Sequence, residues 1–229
     1  MNSIHLSPRL QAVADFVPSD ARLADIGSDH AYLPAYLLMK HHITYAVAGE
    51  VAQGPFDNAT HELKRRDLLG QAEARLADGL SAVYEDDHID TVTIAGMGGI
   101  LISDILTAAF DRHQVFETLI LQANTDEVVV RNWLNEHGYQ IKAESVTQED
   151  NHFYEVILAT LGSQQLSHMD LNFGPYLRVE QSATFIAKWQ KESDRIQVIF
   201  AQLEAANKMD TKAYRDWQVR YNEIKQVLS

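Results

Sequence analysis

The chain has 229 residues, of which 46% are hydrophobic and 22% charged; it contains no cysteine and carries a formal net charge of −13. That composition excludes a disordered chain, a collagen-like chain, disulfide frameworks and thiolate chemistry. No apolar run approaches the ~18–20 residues of a membrane span, Met1 to Leu10 lacks the basic-then-apolar pattern of a signal peptide, and a cytoplasmic setting is expected.

Ser7-Pro8 opens a predicted helix, with Ser7 as N-cap, Pro8 at the first helical position and Leu10, Val13, Ala14 and Val17 on one face. Short β-branched runs follow at Arg22–Ile26, Thr44–Ala48, Ala72–Leu76, Ile89–Ala95 and Thr118–Gln122. They are apolar without strict alternation, as strands buried on both faces of a parallel sheet are. Helical patterns separate them at Ala31–His41, Pro55–Leu68, Ile100–Phe110 and Glu127–His137, the last stopped by Gly138. Two β-rich stretches, Tyr139–Thr147 and Phe153–Leu161, read as a hairpin. Strands alternating with helices predict a doubly wound α/β sandwich, expected to fill residues 1–162.

Gly162-Ser163-Gln164-Gln165 reads as a linker, and after it the strand signal disappears. Ile186, Trp189, Ser193, Ile196, Phe200 and Leu203 form one heptad-like seam; Tyr214, Trp217, Tyr221, Ile224 and Leu228 form another. Two such helices joined by a polar turn predict an antiparallel, coiled-coil-like hairpin as a second domain, 163–229. Charge divides at the same place. Residues 1–162 carry 10 Lys and Arg against 24 Asp and Glu; residues 163–229 carry 9 against 8. The overall acidity argues against a nucleic-acid partner, but it belongs to the first part alone, and a basic face on the second is compatible with it.

Ligands of open α/β sheets bind beyond the carboxyl ends of the strands. The first strand runs into Asp25-Ile26-Gly27-Ser28-Asp29-His30. The second ends in Glu50, 25 residues after Asp25, where an acid can accept from both ribose hydroxyls. The third ends in Asp78-Gly79, the fourth in Ala95-Gly96-Met97-Gly98-Gly99, the fifth in Gln122-Ala123-Asn124. Each feature alone has an ordinary reading as a turn or a solvated strand end. Together, three acids after three successive strands describe a nucleoside pocket. The first loop has one glycine and two acids where a dinucleotide fingerprint needs three glycines, so it repels a pyrophosphate and suits a ligand with a ribose and a cationic group. That points to S-adenosylmethionine.

The stretches Asp25–Pro34, Ala48-Gly49-Glu50 with Gly54-Pro55-Phe56, Asp78-Gly79-Leu80 and Ala95–Gly99 resemble the bacterial tRNA (adenine-N1)-methyltransferase family that modifies adenine 22 of tRNA. The similarity extends to Leu6–Leu10, Tyr154-Glu155 and Phe173–Leu177, so it covers essentially the whole chain. In one departure, Ala123 stands where the family has a proline, which is expected to loosen that loop. The resemblance implies a class I methyltransferase fold, S-adenosylmethionine as cofactor and tRNA as partner. On this reading Asp25, Gly27, Ser28, His30, Glu50, Asp78, Gly79, Gly96, Met97 and Gly98 hold the cofactor. Asn124 and Gln122 hold the Watson–Crick edge of the adenine, Asp29 either does the same or contacts the cofactor, and Tyr32 either stacks on the base or is plain helix packing. Arg9, a phosphate or carboxylate contact or else a solvated helix start, and Lys188, Lys191 and Arg195 on the hairpin are candidate substrate contacts. Lys64-Arg65-Arg66 reads first as a solvated helix end. His61-Glu62 lacks the second histidine of a zinc motif, and no metal is expected. Two other classes compete: a nicotinamide-dependent oxidoreductase, disfavoured by the acidic first loop, and a non-catalytic adaptor acting through the hairpin, disfavoured by the retained acids.

Overall fold

The apolar runs of the first part assemble into one sheet. In the computed structural model, which describes residues 4–229, the strands are β1 (Ala21–Ile26), β2 (Ile43–Glu50), β3 (Ala72–Leu76), β4 (Thr91–Gly98), β5 (Thr118–Thr125), β6 (Tyr139–Glu149) and β7 (His152–Leu161). Their order is β3-β2-β1-β4-β5-β7-β6. The first five are parallel, and β7 runs antiparallel to both β5 and β6. Leu23 and Ala24, Ala46 to Ala48, Val92 and Ile94, and Leu119 to Leu121 are all fully buried. That is why these strands are apolar on both faces. Sheet order reverses between β1 and β4, which makes their carboxyl ends the place for a ligand.

Helices α1 (Pro8–Ala14), α2 (Tyr32–Met39), α3 (Gln53–Arg65), α4 (Gly99–Asp111) and α5 (Glu127–Glu136) connect and cover the strands. Ser7 caps α1 as expected, its hydroxyl accepting from the Leu10 N–H. Several bounds move for a physical reason. α2 begins at Tyr32 because Ala31 is left-handed at φ 52°; α3 begins at Gln53, with Pro55 inside its first turn. The expected strand Ile89–Ala95 runs from Thr91 to Gly98, so the glycine-rich stretch is strand and not loop. β5 likewise continues to Thr125, and Ala123 is buried in it opposite Glu155. The loosened loop expected at Ala123 is therefore absent. The hairpin turn is Asp150-Asn151, left-handed at φ 47° and 64°, a conformation these two residue types tolerate. Arg131 of α5 is buried at 1% side-chain exposure, 2.8 Å from Glu144 and 2.5 Å from Glu155, and ties the helix to both hairpin strands. Arg65 and Arg66 both pair with Glu62 and so stabilise the end of α3.

The first compact unit ends at Gln165 and the second is Leu166–Ser229. The second contains α6 (His168–Phe173), α7 (Leu177–Glu180), α8 (Ala183–Ala205) and α9 (Lys212–Val227). The two short helices lie outside the expected elements, although Ser167 and Asp170 form a readable capping box. α8 and α9 pack along the expected seams: Phe200 meets Tyr214 and Tyr221, and Ile196 and Ile224 are buried. One seam residue differs. Ile186 is 43% exposed and its neighbour Phe185 is fully buried, because Trp189 packs against Phe185 and Phe173. Among the described residues no helix is long and apolar enough to cross a membrane.

Candidate functional site

Five parallel strands bring their carboxyl ends to one side of the sheet. Asp25, next to last in β1, is 5% exposed; its carboxylate accepts from Thr93 Oγ1 at 2.7 Å and Ser28 Oγ at 2.5 Å. Burial pushes its carboxyl above the usual aspartate range, against the pull of those two bonds and the charge of Arg9. Glu50 closes β2, is also 5% exposed, and accepts from the Asp29 backbone N–H. Burial raises its carboxyl too, opposed by that N–H and reinforced by the negative charges of Asp25 and Asp29.

The first loop is built from left-handed residues. Gly27, at φ 73°, donates to the Gly49 carbonyl at 2.8 Å, and Met97 lies so close over it that a Cβ would fall 2.2 Å from the thioether methyl. Asp29 and Ala31 are left-handed without being glycine, at φ 59° and 52°. Such strain collects at binding sites, where the surroundings hold it in place. It leaves the Asp29 side chain 70% exposed beside His30, whose ring stacks on Tyr32 at 5.1 Å. Tyr32 is 40% exposed, so it forms a ledge rather than helix packing. Asp78 is exposed and precedes Gly79, left-handed at φ 51°, at the head of a short turn.

Gly96 is a bulge in β4, at φ 82° where the register with β5 shifts. Its two backbone groups bond to side chains of β5: its N–H donates to Gln122 Oε1 at 3.0 Å, and its carbonyl accepts from Asn124 Nδ2 at 2.8 Å. Gln122 Nε2 in turn donates to Asn124 Oδ1 at 3.1 Å. Gln122 is fully buried, whereas Asn124 is exposed. Arg9 completes the group, with Nη1 donating to Gln122 Oε1 at 2.8 Å and the guanidinium 5.7 Å from the Tyr154 ring. Gly99, part of the glycine-rich stretch in the sequence but given no role there, is forced: a Cβ there would meet the Asp126 carbonyl oxygen at 2.2 Å. The sequence-predicted residues of the first unit thus gather at these strand ends; Lys188, Lys191 and Arg195 lie in the other unit and are described within it.

Two buried carboxylates whose burial opposes their charge suit a ligand that brings hydroxyl donors and a cation. The left-handed loop at Gly27 lets backbone approach it. A groove of about 390 Å³ beside α1 and α2, lined by Ile4, Tyr36 and Met39 among others, has no carboxylate in its described lining. Among the described residues no group of His, Asp or Glu is placed to hold a metal ion.

The profile of the tRNA (adenine(22)-N(1))-methyltransferase family matches residues 23–225. A Bacillus subtilis protein of that name is 38% identical over all of this chain and 99% of its own length. A putative tRNA (m1A22) methyltransferase from Streptococcus pneumoniae, solved in complex with S-adenosyl-L-methionine, is 40% identical and superposes with a TM-score of 0.90, covering 98% of this chain and all of that one. M. capricolum TrmK, solved with S-adenosyl-homocysteine, is 31% identical with a TM-score of 0.87, covering 97% of each chain.

Proposed function

This chain belongs to the tRNA (adenine(22)-N(1))-methyltransferase family, and from that premise we propose how its residues carry out the reaction. It is an S-adenosylmethionine-dependent enzyme that methylates N1 of adenine 22 in tRNA. The observation that carries the assignment of roles is the pair of buried carboxylates, Asp25 and Glu50, beside the Gly96–Gln122–Asn124 cluster. Glu50 would take the ribose hydroxyls, with Asp78 near the adenine of the cofactor. Asp25 and the loop Gly27–His30, with Gly79 and Gly96–Gly98, would receive its cationic part. The cofactor supplies a methyl group on a sulfonium.

N1 of neutral adenine carries a lone pair, so no residue has to remove a proton before attack. What the protein must do is position the base and accommodate the positive charge that moves onto it. N1 lies on the Watson–Crick edge, so the base enters unpaired or flipped. Asn124 retains one free lone pair and one free N–H after its two internal bonds, and its Oδ1 suits the exocyclic amine. Tyr32 offers an aromatic face, and Asp29 a carboxylate for the charge that develops. Gln122 is fully buried and bonded to Arg9, Gly96 and Asn124, so it supports Asn124 instead of touching the base.

Glu50 gives a test through pH. Its carboxyl is held above the ordinary glutamate range, so without ligand the folded protein binds more protons than the unfolded chain there, and this group's contribution to stability falls as pH rises. Hydroxyl donors favour the ionised form. Cofactor affinity should therefore increase with pH through the Glu50 titration and then level off. Glu50→Gln should weaken binding by about tenfold and lose that slope, as read by calorimetry across pH. An unchanged affinity and slope would place the ribose elsewhere.

The acidic first unit repels a polyanion, and the second unit is the better source of phosphate contacts. Not every basic residue there is equivalent. Arg195 forms a two-pronged pair with Glu192 and lies 5.0 Å from the Trp217 ring, Lys212 pairs with Asp216, Lys188 lies over Trp189, and Arg220 packs on Phe173 and Trp189. Lys208, Arg215 and Lys225 are exposed. Changing these three to glutamine should weaken tRNA binding and lower its salt dependence by roughly one unit of slope for each phosphate that is no longer neutralised. An unaltered slope in a filter-binding titration would assign RNA contact to other residues.

A further inference from the structure

We propose that Arg9 is a positioning residue for methyl transfer, whose guanidinium fixes the Gln122 carboxamide and, through it, the Asn124 carboxamide that presents itself to the adenine. The proposal rests on the assignment of Asn124 to the base.

The bonding order carries it. A guanidinium only donates, so Gln122 must turn its oxygen to Arg9, which it does at 2.8 Å. The Gln122 amide nitrogen then faces Asn124 Oδ1 at 3.1 Å, and the Asn124 nitrogen faces the Gly96 carbonyl, which only accepts. The chain of bonds has a fixed direction, with a cation at one end and a carbonyl at the other. Charge at the donor end strengthens the first bond and polarises those after it. Gln122 is fully buried, so whatever Arg9 does to it reaches the base only through exposed Asn124.

Arg9 is held for this task from several sides. Its backbone N–H donates to Glu149 Oε2 at 2.9 Å on β6, and its guanidinium lies over Tyr154 of β7. Gly96 clears the space, since a Cβ there would sit 3.2 Å from Arg9 Nη1. The backbone bond is what any helix start requires, but a solvated side chain there needs neither the Gln122 bond nor the Tyr154 contact. Removing the side chain leaves Gln122 Oε1 with the Gly96 N–H alone and frees its rotamer.

The test is a kinetic cycle on the full-length protein with tRNA and S-adenosylmethionine, using Arg9→Ala, Asn124→Ala and the double variant. Arg9→Ala should lower kcat roughly tenfold while the KM for cofactor stays within about threefold. In the Asn124→Ala background the same change should cost less than about twofold, because both act through one carboxamide. Arg9→Lys, which can still donate to Gln122, should recover part of the rate, and its remaining loss should also vanish in the Asn124→Ala background. That second cycle stands even if the alanine variant does not fold. Additive losses, or a raised cofactor KM with unchanged kcat, would overturn the proposal while leaving Asn124 in its role. If Asn124→Ala itself leaves kcat unchanged, the base assignment fails and this inference with it.

Discussion

Replacing Arg131 by leucine is expected to destabilise the protein by about 3–5 kcal/mol, because it strips a buried ion cluster of its cation. Arg131 is 1% exposed, and its two partners, Glu144 and Glu155, are equally buried. Without it two carboxylates face each other away from water, and each can relieve this only by taking up a proton. The folded variant then binds more protons than the unfolded chain, so its stability should recover as pH falls and be lost as pH rises. Urea unfolding at several pH values would show both effects. Replacing all three residues by leucine should recover most of the loss, since a buried ion cluster exchanged for packed apolar groups is often near neutral. A single variant within about 1 kcal/mol of the parent would contradict this account. The cluster also bears on function. Glu155 stands opposite Ala123 in the β5–β7 register, between Gln122 and Asn124, so the ions anchor the strand edge that carries both amides.

What can be read from sequence follows from range. Asp25 and Glu50 are accessible because each stands at the end of a short apolar run, and a run of that kind fixes both the strand and its carboxyl end; Asp78 is accessible through its turn pair with Gly79, after the mixed run Ala72–Leu76. The antiparallel helical pair is accessible because Trp189, Ile196, Tyr221 and Ile224 repeat at helical spacing. The insertion of β7 between β5 and β6 is not, because both strands of the hairpin have the same periodicity and only packing decides which lies inside. The seam shifts from Ile186 to Phe185 because both are apolar and the packing around Phe173, a residue of another helix, chooses between them. Arg9 has two open readings in the sequence because its partner Gln122 lies 113 positions away. The strand pattern stops at Ala95 in the sequence, and β4 continues to Gly98 because Met97 and Gly98 pair with Ala123 and Thr125 of β5, the amides of Gln122 and Asn124 taking up the backbone of the bulged Gly96. Left-handed Asp29 and Ala31 leave no compositional trace.

Asn124→Ala is expected to lower kcat by about a hundredfold with cofactor affinity nearly unchanged. The reaction needs no base, so its rate depends on how well N1 is aimed, and a misplacement on the order of 1 Å at the reacting centre can cost that much. Asn124 is the exposed member of a chain of bonds in which Gln122 is buried, Gly96 takes part through its backbone and half-buried Arg9 is turned to Gln122, so Asn124 is the member placed to meet the substrate. Asn124→Asp sharpens the test. It keeps the shape but sets a carboxylate oxygen against the Gly96 carbonyl, where the amide nitrogen now donates at 2.8 Å. It should therefore lose activity as well, although a carboxylate can still accept from the exocyclic amine. Single-turnover rates with saturating cofactor, alongside calorimetry for cofactor binding, separate the two contributions. If either variant lost cofactor affinity as severely as Glu50→Gln with its transfer step intact, Asn124 would belong to the cofactor site. The base would then have to be held by Asp29 and Tyr32 across the first loop.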